Sequence, residues 1–212
     1  MKTLLASILA LLITTAPAHA ATAPANQSKD SALLAALRHG GCVILMRHAS
    51  SPDAPPNARS AAAGNRDLER QLDGQGLRDA RAMGAALRQL GIPVAEVMSS
   101  PTFRARETIT AAGLRAPRTF QQLGDAGHSM SQAAVAGWSQ WLRQMVSRQP
   151  PAGSNTLIVT QMPNISAAYG RPASALKAGG ALIFQPDGRG NAHMLAVMQI
   201  GDWKQLAAQF KR

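Results

Sequence analysis

Two stretches of this chain are apolar without a break, and they limit what it can fold into more than any other feature. One is Cys42–Met46 (CVILM), which follows Gly40-Gly41; the other is Leu157–Val159, the centre of SNTLIVTQ, Ser154–Gln161. A strand with one face in water alternates apolar and polar residues. A strand that is apolar throughout needs cover on both faces, as in a parallel sheet packed between helices. The segments around these two carry helical spacing. Leu33, Leu34 and Leu37 share one face of a short helix that starts from an Asp30 or Ser31 cap and stops at Gly40-Gly41. DGQGLRDARAMGAALRQLG turns Leu77, Met83, Ala86, Leu87 and Leu90 inward and closes at Gly91. AEVMSS is a second short strand, and Ser100-Pro101 reads as an N-cap with proline at the first helical position, opening a helix to about Gly113.

RTFQQL reads as a third strand, and a helix from Ser131 to about Ser147 carries Trp138, Trp141, Leu142 and Met145. After the Ser154–Gln161 strand, a short helix opens over Ile165–Tyr169. GGALIFQPDGRGNAHMLAVMQI is a hairpin around Pro186-Asp187-Gly188, and DWKQLAAQF is a terminal helix capped by Asp202. The expected fold is α/β: a three-layer sandwich with a largely parallel sheet flanked by helices and a C-terminal antiparallel hairpin.

The chain of 212 residues begins with MKTLLASILALLITTAPAHA, in which Lys2, an apolar stretch from Leu4 to about Ile13 and the small-residue pattern Ala18-His19-Ala20 have the order of a signal peptide. Residues 1–20 are therefore expected to be removed, residues 21–27 to form a flexible lead-in, and residues 28–212 to form one domain in the periplasm or outside the cell. No other stretch is long and apolar enough for a membrane span. Cys42, the single cysteine, allows no intramolecular disulfide, and its apolar neighbours make it a small buried hydrophobe rather than a nucleophile. The formal charge of +11 favours anionic partners such as a phosphorylated small molecule or envelope component. The scattered arginines and single tyrosine argue against nucleic acid.

In open α/β sheets, ligands bind beyond the carboxyl ends of the strands. Arg47-His48 follows the first strand. Ser99-Ser100-Pro101 follows the second, with Arg104 in the next helical turn; Asp125 and His128 follow the third, and Gln161 and Asn164 the fourth. Two arginines, a histidine, an acid and two helix N-termini thus converge on one edge, as a pocket for a dianion would require.

The blocks ILMRHAS, QLDGQGLRDARAMG, SSPTFRARETI and LIVTQMPNISA resemble, in order, the motifs of the histidine phosphatase superfamily, which has the phosphoglycerate-mutase-like fold. The resemblance spans about Val43–Ala168 and implies a phosphomonoester hydrolase. It makes His48 the nucleophile that forms a phosphohistidine, and Arg47 and Arg104 the phosphate-binding arginines. Asp125 lies near where relatives carry the acid that protonates the leaving oxygen; helix capping or solvation is the competing reading.

The sequence departs from the family pattern at Gln161, where a second histidine is expected, and a glutamine keeps a donor but not a charge. The alternative reading is a catalytically weak or inactive phosphate-binding pseudophosphatase of the cell envelope. Gln161, Asn164 and Ser50 are expected to contact substrate, with Asn164 first an N-cap, and Asn57 and Arg59 share the long loop after His48. His128 either folds over the pocket or stays an exposed loop residue, and Arg106 points away from it. Neither metal-ligand spacing nor a nucleotide fingerprint occurs, so no cofactor is implied. Arg38-His39-Gly40 spells the family's triplet but closes a helix, so Arg47-His48 is the pair that carries chemistry.

Overall fold

The computed structural model describes residues 25–125 and 130–210. Helix α1 (Ala25–His39) precedes β1 (Val43–Arg47), α2 (Gly74–Leu90), β2 (Val94–Ser99), α3 (Phe103–Ala111) and β3 (Arg118–Thr119). A 3-10 turn at Gln121–Leu123 leads to α4 (Gln132–Val146), β4 (Asn155–Thr160), α5 (Met162–Tyr169) and the short α6 (Arg171–Ser174), then β5 (Ala181–Pro186), β6 (Ala192–Met198) and α7 (Asp202–Gln209). The six strands form one sheet in the order β3-β2-β4-β1-β5-β6. Strands β1 to β4 run parallel, and β5 and β6 add the antiparallel hairpin.

The unbroken apolar runs do what their composition demands. Ile44 and Met46 of β1, with Leu157 and Val159 of β4, pack against Leu34, Leu37, Met83, Leu87, Leu90, Ile109 and Trp203 from α1, α2, α3 and α7. The intervening Val43, Leu45 and Ile158 face the opposite way, onto Leu142, Val146 and Ile165 of α4 and α5. Successive side chains leave opposite faces of a strand, so one run feeds two cores and a three-layer sandwich results. Cys42 is fully buried among these residues, and burial pushes its thiol pKa up, as suits a packing residue.

Several boundaries differ from the sequence expectation. Helix α1 begins at Ala25, inside the stretch read as a lead-in and ahead of the Asp30 or Ser31 cap; Ser31 instead donates its hydroxyl to the Gln27 carbonyl within the helix. Helix α3 starts at Phe103 with Thr102 as N-cap, not at Pro101, because the Ser100 N–H still pairs with Val159 in the sheet. The third strand keeps only Arg118–Thr119: β2 ends at Ser99, and the carbonyls of Gln122 and Leu123 are taken by the Asn164 amide (2.9 Å) and the Thr160 hydroxyl (2.8 Å). Helix α5 starts at Met162, so Asn164 lies within its first turn instead of capping it. Asp202 opens α7 as its first residue while Gly201 holds the cap position.

No helix among the described residues is long and apolar enough to cross a membrane. Residues 1–20, read as a signal peptide, and His128 lie outside the described residues.

Candidate active site

Parallel register brings the strand ends together. Arg47 pairs with Thr160 and Ser99 with Val159, so His48, Ser100 and Gln161 emerge side by side at one sheet edge. The backbone at this edge stays pinned: His48 N–H donates to Thr160 O (3.1 Å), and Gly179 N–H donates to His48 O (2.9 Å). The Ala49 N–H donates to the Thr108 hydroxyl (3.1 Å), which itself donates to the Arg104 carbonyl (2.8 Å), so α3 and the end of β1 hold each other. Arg38 and His39 sit at the other end of the sheet, in the last turn of α1, where Arg38 Nε donates to the Leu90 carbonyl at the end of α2.

His48 is 5 % exposed. Its Nδ1 lies 2.7 Å from the Ala49 carbonyl, and Arg104 Nε lies 3.2 Å from its Nε2. An arginine nitrogen only donates and a carbonyl only accepts, so the ring carries its proton on Nδ1 and a lone pair on Nε2. Burial, and then the charges of Arg104, Arg47 and Arg70, pull its pKa down to about 4 against the opposing Ala49 hydrogen bond. The imidazole is therefore neutral at neutral pH and its unprotonated nitrogen faces the Arg104 guanidinium.

Arg104 is the hub. It is 6 % exposed, and burial is the largest influence drawing its guanidinium below its usual pKa, although it remains a cation. Its Nε and Nη2 both donate to Gln161 Oε1 (3.1 and 2.8 Å), and Nη2 also donates to Asp125 Oδ2 (2.9 Å). Gln161 Nε2 donates to the Ser100 and Thr102 hydroxyls (3.2 and 2.9 Å). Arg47 is partly buried, and its Nε has no partner among the described residues.

The site differs from its sequence outline in four respects. The N–H of Phe103, at the start of α3, is taken by Glu69 Oε2 at 2.7 Å, so that helix terminus is already occupied by a carboxylate. Nothing in the sequence marks Arg70 as a site residue, yet its charge reaches Arg47, His48 and Arg104. It lies in a loop without periodicity to mark it, and is fixed there by the Pro52 carbonyl (2.7 Å) and the Asp53 carboxylate (3.2 Å). Ser50 donates to Asp73 at 2.7 Å, binding the loop to the N-cap of α2. Asn164 reaches the Gln122 carbonyl, and its buried Oδ1 lacks a partner among the described residues.

The other loop residues are self-contained: Asn57 caps its own turn through the N–H groups of Arg59 and Ser60, and Arg106 leans on the Phe103 ring. Among the described residues no group of three or more His, Cys, Asp or Glu is placed to hold a metal ion.

A neutral, buried imidazole lone pair among three guanidiniums, with a carboxylate at the rim, can take up a tetrahedral oxyanion and attack its centre. Residues 43–126 match the model of the histidine phosphatase superfamily (branch 1), a span that contains Arg47, His48, Arg104 and Asp125 and stops short of Gln161. No curated protein sequence matches the chain. Solved structures share the fold at low identity. The protein histidine phosphatase SixA complexed with tungstate is 19% identical, with a TM-score of 0.50 over 76% of this chain and 98% of that one. A variant of phosphoserine phosphatase from Entamoeba histolytica in complex with phosphoserine is 14% identical, with a TM-score of 0.53 over 74% and 96% of the two chains. A functionally characterised open reading frame of Mycobacterium tuberculosis is 17% identical, also with a TM-score of 0.53, over 74% and 97%.

Proposed function

We propose that this chain is an exported phosphomonoester hydrolase of the histidine phosphatase superfamily that works through a phosphohistidine on His48. The observation that carries the reading is the state of His48: Nδ1–H tied to the Ala49 carbonyl, and Nε2 unprotonated against Arg104. The phosphoryl group enters between Arg47, Arg70 and Arg104, whose charges offset its own and that of the transition state. The Nε2 lone pair forms the P–N bond as the ester P–O bond breaks. The leaving oxygen takes a proton from the protonated form of Asp125, which the phosphate displaces from Arg104 Nη2; it is the acid at this edge that is left once Glu69 is engaged with Phe103. Water then attacks phosphorus, returns a proton to Asp125, and releases inorganic phosphate with the imidazole restored.

Export rests on the N-terminal sequence, and a phosphorylated small molecule or envelope component as substrate rests on the basic charge and the exported setting. The second reading, a phosphate-binding pseudophosphatase, is favoured by one observation: both amide hydrogens of Gln161 are directed at Ser100 and Thr102, so no donor replaces the expected second histidine. Turnover of a phosphomonoester panel by the purified protein, His48→Ala and Gln161→His separates the two. The hydrolase predicts activity that disappears in His48→Ala. A natural protein no faster than His48→Ala, alongside a gain in Gln161→His, would leave the binding reading standing.

A further inference from the structure

Given that the site handles phosphate, we propose that Gln161 is a positioning residue for Arg104: it joins the guanidinium to the Ser100 and Thr102 hydroxyls and aims its free end at the phosphate, without touching the phosphate itself. The amide's orientation follows from its partners. Hydroxyls donate or accept, but the Arg104 nitrogens only donate, so the oxygen of Gln161 must face Arg104 and its NH2 must face Ser100 and Thr102.

The hydroxyl pair is itself directed. Ser100 Oγ accepts from the Thr102 N–H (3.2 Å) and donates to Thr102 Oγ1 (3.1 Å), while receiving one Gln161 hydrogen. Thr102 is the N-cap residue of α3, so this chain of bonds runs from the helix start through the amide to a guanidinium in the first turn of the same helix. Gln161 is 2 % exposed and sits at the end of β4, which fixes the acceptor from a second element.

The consequence concerns which edge of Arg104 meets substrate. Its Nε–Nη2 edge, one of the two edges able to grip a pair of oxygens, is held by Gln161 Oε1. Nη1 makes no hydrogen bond among the described residues, and Nη2 is shared with the exposed Asp125. The Nη1–Nη2 end is thus presented to an incoming phosphate, which takes Asp125's place on Nη2. A glutamine performs this better than a histidine: its single oxygen accepts two N–H groups while two hydrogens anchor it behind. A histidine has at most one acceptor nitrogen.

The test is a double-mutant cycle on the full chain, read by calorimetric binding of inorganic phosphate and by NMR titration of the His48 ring in the free protein, with thermal melts to confirm folding. Gln161→Leu is expected to weaken phosphate about tenfold, the scale of a hydrogen bond to a charged group, and to raise the His48 pKa as Arg104 loosens. In an Arg104→Ala background the same substitution is expected to change phosphate affinity by no more than about twofold and to leave His48 where it is. Thr102→Val, which leaves Gln161 in place, is expected to act in the same direction and less strongly.

Full weakening by Gln161→Leu in the Arg104→Ala background would mean that Gln161 contacts the anion directly, and would overturn the proposal. So would an unmoved His48 titration in Gln161→Leu, or, where that variant does not fold, in Thr102→Val. If the natural protein binds no phosphate, the functional reading fails on its own, and the His48 titration still decides whether Gln161 positions Arg104.

Discussion

Acidification should leave His48 uncharged, and so able to act as the proposed nucleophile, well below the pH at which an ordinary histidine is protonated. His48 has its pKa pulled down to about 4, chiefly by burial, from the 6.5 of an ordinary histidine. At pH 5 a group of pKa about 4 is about 90 % neutral, whereas one of pKa 6.5 is only about 3 % neutral, a difference of roughly thirtyfold in competent enzyme. The same shift enters stability. Between about pH 4 and 6.5 the unfolded chain holds a proton on this ring that the folded chain does not, so stability rises with pH across that window and falls as pH is lowered through it. The full difference approaches roughly 3 kcal/mol.

NMR titration of the His48 ring reads the pKa alone. The kcat/KM profile for a phosphomonoester, corrected for the substrate's own ionisation near pH 6, reads its effect on turnover. Urea unfolding of the natural protein and His48→Asn, compared at pH 4 and 7, reads the stability term. A ring that titrates near 6.5, or a natural protein that loses no more stability on acidification than His48→Asn, would refute the reasoning that burial and three guanidiniums hold the imidazole neutral.

Asp125→Asn should lower kcat on alkyl phosphates about a hundredfold while sparing aryl phosphates whose leaving group needs no proton; equal losses on both would remove Asp125 as the acid. Gly84→Ala should destabilise by about 2–3 kcal/mol in urea unfolding, because a Cβ there collides with the Ala112 carbonyl at the end of α3; a change within 0.5 kcal/mol, roughly that of an ordinary surface substitution, would show that the two helices can part. Asn155→Leu should cost about 3 kcal/mol or more. Its side chain serves the Cys42 N–H (3.0 Å) and the Leu37 and Pro93 carbonyls (2.7 and 2.8 Å), all left without that partner; an unchanged urea midpoint would deny it that role.

The parts of the fold that were legible in the sequence are those where one residue type admits one environment. The runs Val43–Arg47 and Asn155–Thr160 are buried on both faces, and so need helices on both sides. The α2 helix carried its own limits, with the Asp73 carboxylate accepting from Gly76 N–H and Gly91 in the left-handed conformation. Legibility failed where the deciding partner is remote. Ser100 looks like a helix cap, yet its N–H belongs to the sheet and its hydroxyl is shared between Thr102, the actual cap, and the remote Gln161. RTFQQL looks like a strand, yet beyond Thr119 only the Phe120 N–H still pairs with β2, at the Ser99 carbonyl, while Thr160 and Asn164 draw the carbonyls of Leu123 and Gln122 into a turn. Pro163 falls early in α5, where no N–H is needed, so that helix runs through the residue that seemed to precede it.

The same division applies to the site. That His48, Arg104 and Gln161 meet follows from strand ends in a parallel sheet, a matter of position along the chain. What each atom does there is set by neighbours that come from elsewhere. Glutamine at position 161 looks like a weakened donor when compared with the histidine that the family resemblance leads one to expect there. Beside Arg104 it is an acceptor, because a guanidinium leaves it no other choice. Gln161→His therefore changes two things with opposing signs: it adds a ring that can donate to phosphate, and it removes the oxygen that holds the Nε–Nη2 edge. Since His48 Nε2 leans on that same Arg104 N–H, the loss extends to the nucleophile. A histidine introduced alone should gain less than the 10²–10³ in rate, about 2.7–4 kcal/mol, that one preorganised donor supplies. The shortfall measures how far the rest of the pocket depends on the glutamine.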